Sequence, residues 1–295
     1  MIEQRNVDLQ GHYHSEVTRR RWMRTLTTIL RHAILLVFVV FAVAPLLWAI
    51  STSFKPQAEV MTNHGLLPHE PTLTNYVYVV SQTKFGLWFG NTLTIALLTT
   101  ILAIAIATLG GYAMSRYRFR GRDLYGNTLL VVQMFPGVML AIPLFLIFTR
   151  LHLVNTRWSL LITYMTFALA FAVWMLKGYF DSIPREIEEA ALIDGASELG
   201  VLCRIILPLS GPGITTVAVF AFLLAWNDFF FAYILLVTDT NYTLQMGLYT
   251  FIKQFFTQWH YLMTAAVLTT LPVLIFFFTM QRYLQRGLIA GASKG

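Results

Sequence analysis

Few residues in this chain can do chemistry, and most of them sit in one short stretch, "EAALIDGASELGVLCRIILP", from Glu189 to Pro208. There, acids, alanines and glycines interrupt an otherwise apolar sequence. A second polar break, Asn227-Asp228, stands inside an apolar run. His12 and His14 show HxH spacing, but no further nearby ligand completes a metal site, and the pair reads as part of a polar tail. The single cysteine, Cys203, excludes an internal disulfide framework and any CxxC redox or metal pair, and reads as a small apolar filler. No Gly-Lys dipeptide occurs, so a GxxxxGK[ST] phosphate loop is impossible and the chain carries no ATP-binding loop of that kind.

The elements that position these residues follow from charge spacing. Only 12% of the 295 residues are charged, 57% are hydrophobic, and the mean hydropathy is +0.63, which points to a membrane. The net charge of +7 is not the footprint of a nucleic-acid binder, because Lys and Arg fall between apolar runs and not on one face. Six long uncharged gaps run from Arg31 to Lys55, Lys84 to Arg116, Asp123 to Arg150, Arg157 to Lys177, Arg204 to Asp228 and Lys253 to Arg282. Each is long enough to cross the hydrocarbon core, which takes roughly 20 residues of helix. The expected fold is an all-α membrane protein of six transmembrane helices.

Sixteen of the 21 Lys and Arg residues lie in the two termini and in the second and fourth connections. The positive-inside rule therefore places both termini and the Glu189 to Pro208 stretch in the cytoplasm. The first run reads as a retained span and not a cleaved signal, since Pro45 follows "AVA" and the apolar run continues to Phe54. Lys55 to Lys84, with Pro56, Pro68 and Pro71, reads as an ordered but irregular external loop.

The fourth connection has a helical pattern. Pro184 suits a first turn, and Glu186, Glu188 and Glu189 sit near the positive end of the helix dipole. Ile183, Ile187, Ala190 and Ala191 fall on one face. Asp194-Gly195 marks a stop. A second helix starts near Ser197 with Leu199, Leu202, Cys203 and Ile206 in register, and Pro208 opposes its continuation. Two short amphipathic helices form a knob, either lying on the membrane surface or docking a partner.

The residues decide between these by resemblance. Glu189-Ala190-Ala191, three residues, Gly195, nine residues, Ile205, one residue and Leu207-Pro208 match the hallmark of permease subunits of bacterial ATP-binding cassette importers. "YAMSRYRFRGR", "AWNDFFFAYILL" and the ending "QRYLQRGLIAGASKG" resemble the carbohydrate-uptake type, specifically its smaller, maltose-type second permease subunit. The resemblance implies that Glu189, Ala190, Ala191, Asp194, Gly195, Ile205, Leu207 and Pro208 form the coupling joint to an ATPase. It further implies that the Gly-rich tail, with Gly291, Lys294 and Gly295, contacts the ATPase dimer; by composition alone the same tail reads as a frayed terminus. The implied partners are a larger homologous permease, two ATPase subunits, an extracytoplasmic sugar-binding protein and membrane lipid, with no nucleic acid and no cofactor. The implied organisation is a cytoplasmic tail over 1–31, a six-span permease domain over 32–284 with its coupling loop at about 181–212, and a cytoplasmic tail over 285–295, all in the bacterial inner membrane.

Within the fifth span, Trp226, Asn227, Asp228, Phe229 and Tyr233 form a candidate translocation path, since sugars offer hydroxyls to polar groups and ring faces to aromatics. Asp228 equally suits a pairing with a partner subunit or a position at the interface. The aromatic connection from Thr238 to Met263 reads as an interface belt or as a meeting surface for a binding protein. Pro136, Pro143 and Pro272 are expected to kink their spans. Glycerol phosphate or another polyol is an alternative cargo, although no Arg or Lys stands within the spans for a phosphate. The rivals outside this class are an ion-coupled secondary transporter, for which Asp228 alone is thin support, and a membrane-embedded sensor, for which no soluble signalling domain is present.

Overall fold

A computed structural model describes the backbone of residues 2–253 and 255–292 and the side chains of 22–253 and 255–281. Among these residues the chain is helical, with no strand beyond one isolated bridge between Ile252 and Thr257. The helices are α1 (Ile2–Ser53), α2 (Gln57–Thr62), α3 (Thr74–Ser81), α4 (Phe85–Arg116), α5 (Arg122–Met134), α6 (Ala141–Arg150), α7 (Arg157–Asp181), α8 (Arg185–Ile193), α9 (Glu198–Val201), α10 (Leu207–Leu209), α11 (Gly211–Asn227), α12 (Phe230–Leu235), α13 (Leu244–Tyr249) and α14 (Trp259–Ala292).

Four helical stretches are long and apolar enough to span a membrane: Trp22–Ser53, Phe85–Arg116, Arg157–Asp181 and Trp259–Gln281. Two bent helix pairs are long and apolar enough only when each is taken together. Arg122–Met134 meets Gly137–Arg150 at 95°, and Glu198–Leu209 meets Gly211–Asn227 at 78°. Counted with each bent pair as one element, these make six, consistent with the six apolar gaps. The first bend falls at Phe135-Pro136, both extended, as expected where proline clashes with the preceding residue's α conformation. The other two expected proline kinks resolve differently. Pro143 sits third in α6, where its missing N–H breaks no bond, and α14 runs on through Pro272.

The core is built by α4, α7, α11 and α14 in two apolar halves. At one end Tyr112, Val173, Leu176, Phe180, Ile206 and Val217 close together; at the other, Trp88, Tyr164, Phe222, Trp226, Leu235 and Leu244 do so. Between them lies a thin layer of Ala103, Ala168 and Ala221. Small residues at mid-bundle let the backbones approach, which is how helices gain packing energy when the surroundings are as apolar as their side chains. Gly111 takes this to the limit, since a Cβ there would stand 3.1 Å from the Lys177 backbone nitrogen. By contrast, α1 keeps Leu35, Val37, Phe38 and Phe41 exposed, uncovered by any described residue of the chain.

The Lys55 to Lys84 segment is more organised than an irregular loop, with α2 and α3 folded around two buried charges. Lys55, 2% exposed, donates to the carbonyls of Asn63 (3.0 Å) and Gly65 (2.5 Å). Glu59 accepts from the Asn63 amide (2.6 Å) and from the backbone N–H groups of His69 (2.6 Å) and Glu70 (3.2 Å). Asn75 ties this cap to the end of α1 by donating to the carbonyls of Ser53 and Lys55.

Candidate functional site

The Glu189 to Pro208 stretch stands at one end of the bundle as two short helices. Pro184 is the cap residue before α8, extended and one position earlier than the first turn that the sequence suggests. α8 ends at Ile193, and Gly195 turns the chain with φ +87°, a conformation that costs any residue with a Cβ about 1 to 2 kcal/mol. Ser197 then caps α9, its hydroxyl accepting from the Gly200 N–H at 3.2 Å. Pro208 does not stop the second helix. Residues Leu202–Ile206 form a π-turn that gives the proline ring room, and the helix ends at Ser210 instead. The wider turn also shifts the buried stripe. Val201, Leu202 and Ile206 are buried, whereas Leu199, expected inside, is 65% exposed, and Cys203 is exposed and fills nothing.

The motif residues divide by exposure. Glu189, Ala190, Asp194, Gly195 and Pro208 are exposed, and Ala191, Ile205 and Leu207 are half-buried. Ile187, grouped by its spacing on one face with the buried Ile183, is exposed, as are Leu192, Ile193 and Leu199. The outer face of the knob is therefore apolar and small-residued, with Glu189 and Asp194 among its few charges. Ile193 is 86% exposed, which is costly in water and favours a covered state.

Behind this face lies a polar network that sequence reasoning missed. Glu188, in the first turn of α8, is 7% exposed and holds more than the helix end. Its Oε1 meets Arg116 Nε and Nη2, both at 2.5 Å, and its Oε2 accepts from the Tyr112 hydroxyl at 3.0 Å. Arg116 Nη2 also donates to the Ile183 carbonyl at 3.2 Å, and Arg185 to the Ser115 carbonyl at 3.1 Å. The Ser115 hydroxyl donates to Asp181 at 2.6 Å, and the Tyr117 hydroxyl to Glu198 at 2.6 Å; this last bond raises the Tyr117 phenol above its ordinary range. Thus α4 grips both knob helices. The only sequence signal for Glu188 is its spacing of three from half-buried Ala191, which an ordinary solvated acid shares.

The candidate path residues fall in three environments. Trp226 is fully buried, edge-on to Phe89 (5.8 Å) and stacked on Phe222 (5.3 Å), so it belongs to the core. Asp228 is half-buried and interrupts the helix. It accepts from the Tyr164 hydroxyl (2.7 Å) and from the backbone N–H groups of Phe231 (3.4 Å) and Ala232 (3.1 Å), which starts α12. With Tyr164, Gln133 and Phe167 it lines a cavity of about 240 Å³ beside the Pro136 break. Asn227, Phe229 and Tyr233 are exposed, and Phe229 and Tyr233 gather around Tyr249 at 5.2 and 5.6 Å. In the aromatic connection Phe251 is buried while Phe255 is 90% exposed. Of the tail residues, Gly291 falls in the last turns of α14, and Lys294 and Gly295 lie outside the described residues.

Comparison with known proteins follows the same elements. The sequence matches, over residues 106–290, the family described as "Binding-protein-dependent transport system inner membrane component". The inner membrane ABC transporter permease protein YcjP of Escherichia coli is 39% identical over 92% of this chain and 98% of its own length. The arabinooligosaccharides transport system permease protein AraQ of Halalkalibacterium halodurans is 34% identical over 88% of this chain and 94% of its own. Among solved structures, a chain of a bacterial ABC transporter involved in the import of the acidic polysaccharide alginate superposes with a TM-score of 0.77 at 26% identity, covering 88% of this chain and 96% of that one. The family match takes in the knob, the end of α4 that holds it and all of α11, and the chain belongs to the binding-protein-dependent transport system inner membrane component family.

Proposed function

We propose that this chain is one permease subunit of an ATP-binding cassette importer that moves a sugar or oligosaccharide across the bacterial inner membrane, and that its knob docks an ATPase subunit. The observation that carries this reading is the outer face of the knob: Glu189, Ala190, Gly195 and Pro208 are exposed beside Ile187, Leu192, Ile193 and Leu199, while the opposite face is bonded to α4. Alanine and glycine permit close approach, and a helical knob anchored from behind moves as a body when its socket moves. In this reading both termini are cytoplasmic, and a larger homologous permease covers the second side of the path. Two ATPase subunits hydrolyse the ATP, an extracytoplasmic binding protein delivers the cargo, and the tail through Gly291, Lys294 and Gly295 reaches the ATPases. The chain itself performs no covalent step. Its helices alternate access, and the broken crossings at Pro136 and Asp228 place irregular backbone beside a cavity, where such backbone is tolerated in a membrane. Asn227, Asp228, Phe229 and Tyr233 supply the polar groups and ring faces that a carbohydrate needs.

The carbohydrate assignment is supported by relatives named for arabinooligosaccharide, trehalose, maltose and galactooligosaccharide transport. The test is to purify the tagged chain from its native host in mild detergent, identify the co-purifying chains, and follow uptake of labelled oligosaccharides. A stoichiometric ATPase that is lost, together with uptake, in Glu189→Lys or Gly195→Pro supports the reading. A chain that purifies alone and transports regardless of either change overturns it in favour of an ion-driven carrier.

A further inference from the structure

Helix α4 is joined to different parts of the molecule at its two ends, each time by buried side chains. At the knob end Arg116 and Tyr112 hold Glu188 of α8, and Ser115 holds Asp181 at the end of α7. At the other end Trp88 Nε1 donates to the Asp239 carbonyl (2.8 Å), and Asn91 donates to the carbonyls of Thr240 and Tyr242 (both 2.9 Å). Thr92 accepts from the Leu244 N–H at 2.7 Å. The helix that carries both sets of contacts is 32 residues long without a proline, about 48 Å of unbroken rod from end to end. Of the two crossings joined to the knob through the chain, α7 is unbroken but meets α8 only through the short Ser182–Pro184 turn, and α11 is bent by 78° at its start and broken at Asp228.

From this geometry we propose that α4 is the rod that carries the knob's displacement to the connection at residues 239–244, and that Glu188 is the positioning residue that fixes the knob to it. Glu188 faces inward and leaves the docking face to Glu189. A two-nitrogen grip from Arg116 fixes orientation as well as distance, which a single contact does not. Without it, α8 keeps the short Ser182–Pro184 turn and the single donation of Arg185 to the Ser115 carbonyl, which hold its distance from α4 but not its orientation. The segment at the far end follows α12 and leads into α13, so movement of α4 reaches the region around Tyr233 and Tyr249. This inference rests on the importer reading, because it needs an ATPase to move the knob, and its test is a measurement of coupling.

The measurement uses the complete complex in lipid nanodiscs, with Cys203→Ser removing the native thiol and Thr240→Cys reporting on the far end. The rate of maleimide labelling is read with and without ATP and vanadate, beside ATPase content. Glu188→Gln is expected to keep the ATPase bound while reducing the nucleotide-dependent change in labelling by about tenfold, and the exchange Arg116→Glu with Glu188→Arg is expected to restore it. Arg116→Lys, which keeps the charge but not the two-nitrogen grip, gives an intermediate loss and serves as the readout if Glu188→Gln yields no protein. Labelling in Glu188→Gln that responds to nucleotide as before overturns the proposal. Loss of the ATPase from Glu188→Gln also overturns it, because Glu188 then belongs to the docking face. Absence of any ATPase from the unsubstituted complex removes the importer reading itself, and this inference with it.

Discussion

Arg116 closes α4 onto Glu188 of α8 with two nitrogens at 2.5 Å, across 72 residues of sequence and with both side chains only 9% exposed. A pair so buried contributes little net stability when intact but is expensive to break, because the surviving charge has no water to turn to. Arg116→Ala is therefore expected to cost roughly 3 to 5 kcal/mol of stability. Glu188→Gln, which keeps an oxygen for Arg116 and the volume of the side chain, costs less, about 1.5 to 3 kcal/mol. Thermal unfolding of the purified complex, ranked for the two variants, measures the difference; equal midpoints for both would contradict the burial argument.

Gly195 sets the angle between the two knob helices through its φ of +87°. Nothing lies within 4 Å of a Cβ built there, so a substitution meets no steric obstacle and pays only for backbone strain. Gly195→Ala is expected to weaken ATPase retention by about tenfold, the equivalent of 1 to 2 kcal/mol, and Gly195→Asn, which tolerates the left-handed region, by less. Quantitative pull-down of the ATPase across the three residues gives the order glycine, asparagine, alanine.

The same stretch shows what a sequence discloses and what it conceals. Gly195 and Ser197 act through their own backbone or within three residues, so their roles are legible from order and type alone. The long apolar helices are legible because charge is excluded from lipid wherever the chain folds. Glu188 is not legible, since its partner is 72 positions away and its type resembles the solvated Glu186 and Glu189 beside it. Nor is the difference between Pro136, which breaks a crossing, and Pro272, which does not; helix packing decides whether a freed carbonyl finds another partner. Trp226 and Tyr233 share one aromatic run, yet the first is core and the second exposed, because the helix stops at Asp228 and restarts at Phe230.

That split separates stability from transport. Trp226→Ala empties a fully buried site and is expected to cost about 3 to 5 kcal/mol, lowering the amount of folded protein. Tyr233→Ala, at a side chain 50% exposed, leaves folding within about 0.5 kcal/mol and, if it faces the cargo, raises the KM for oligosaccharide uptake. Expression level and uptake kinetics measured on both variants separate the two roles; a Tyr233→Ala protein with wild-type kinetics removes it from the path.

Glu59 gives the α2 to α3 cap an acid-sensitive fastening. The His69 N–H, assisted by Asn63 and the Glu70 N–H, holds its carboxyl below the usual value despite burial. A carboxylate whose folded pKa is depressed adds stability that is fully present above its unfolded value, near 4.3, and is lost as pH falls through the folded value. Amide exchange across residues 57–76 should therefore stay slow from neutral pH to about 5 and accelerate, beyond the intrinsic pH effect, below about 4. Glu59→Gln should remove that added acid dependence.

Cys203 is exposed on the knob and is the chain's single cysteine, so it reports sidedness without any engineering. The distribution of Lys and Arg puts the knob on the cytoplasmic side, where a membrane-impermeant maleimide added to intact cells cannot reach it. The same reagent should label Cys203 in inside-out vesicles, and the Cys203→Ser chain should stay unlabelled in both. Labelling in intact cells would place the knob outside, turn all six crossings over and remove every ATPase contact assigned to Glu189 and Gly195. Adding the purified ATPase to stripped inside-out vesicles then refines the result: protection of Cys203 places the π-turn of Leu202–Ile206 under the docked subunit, and unchanged labelling confines docking to the α8 side of the knob.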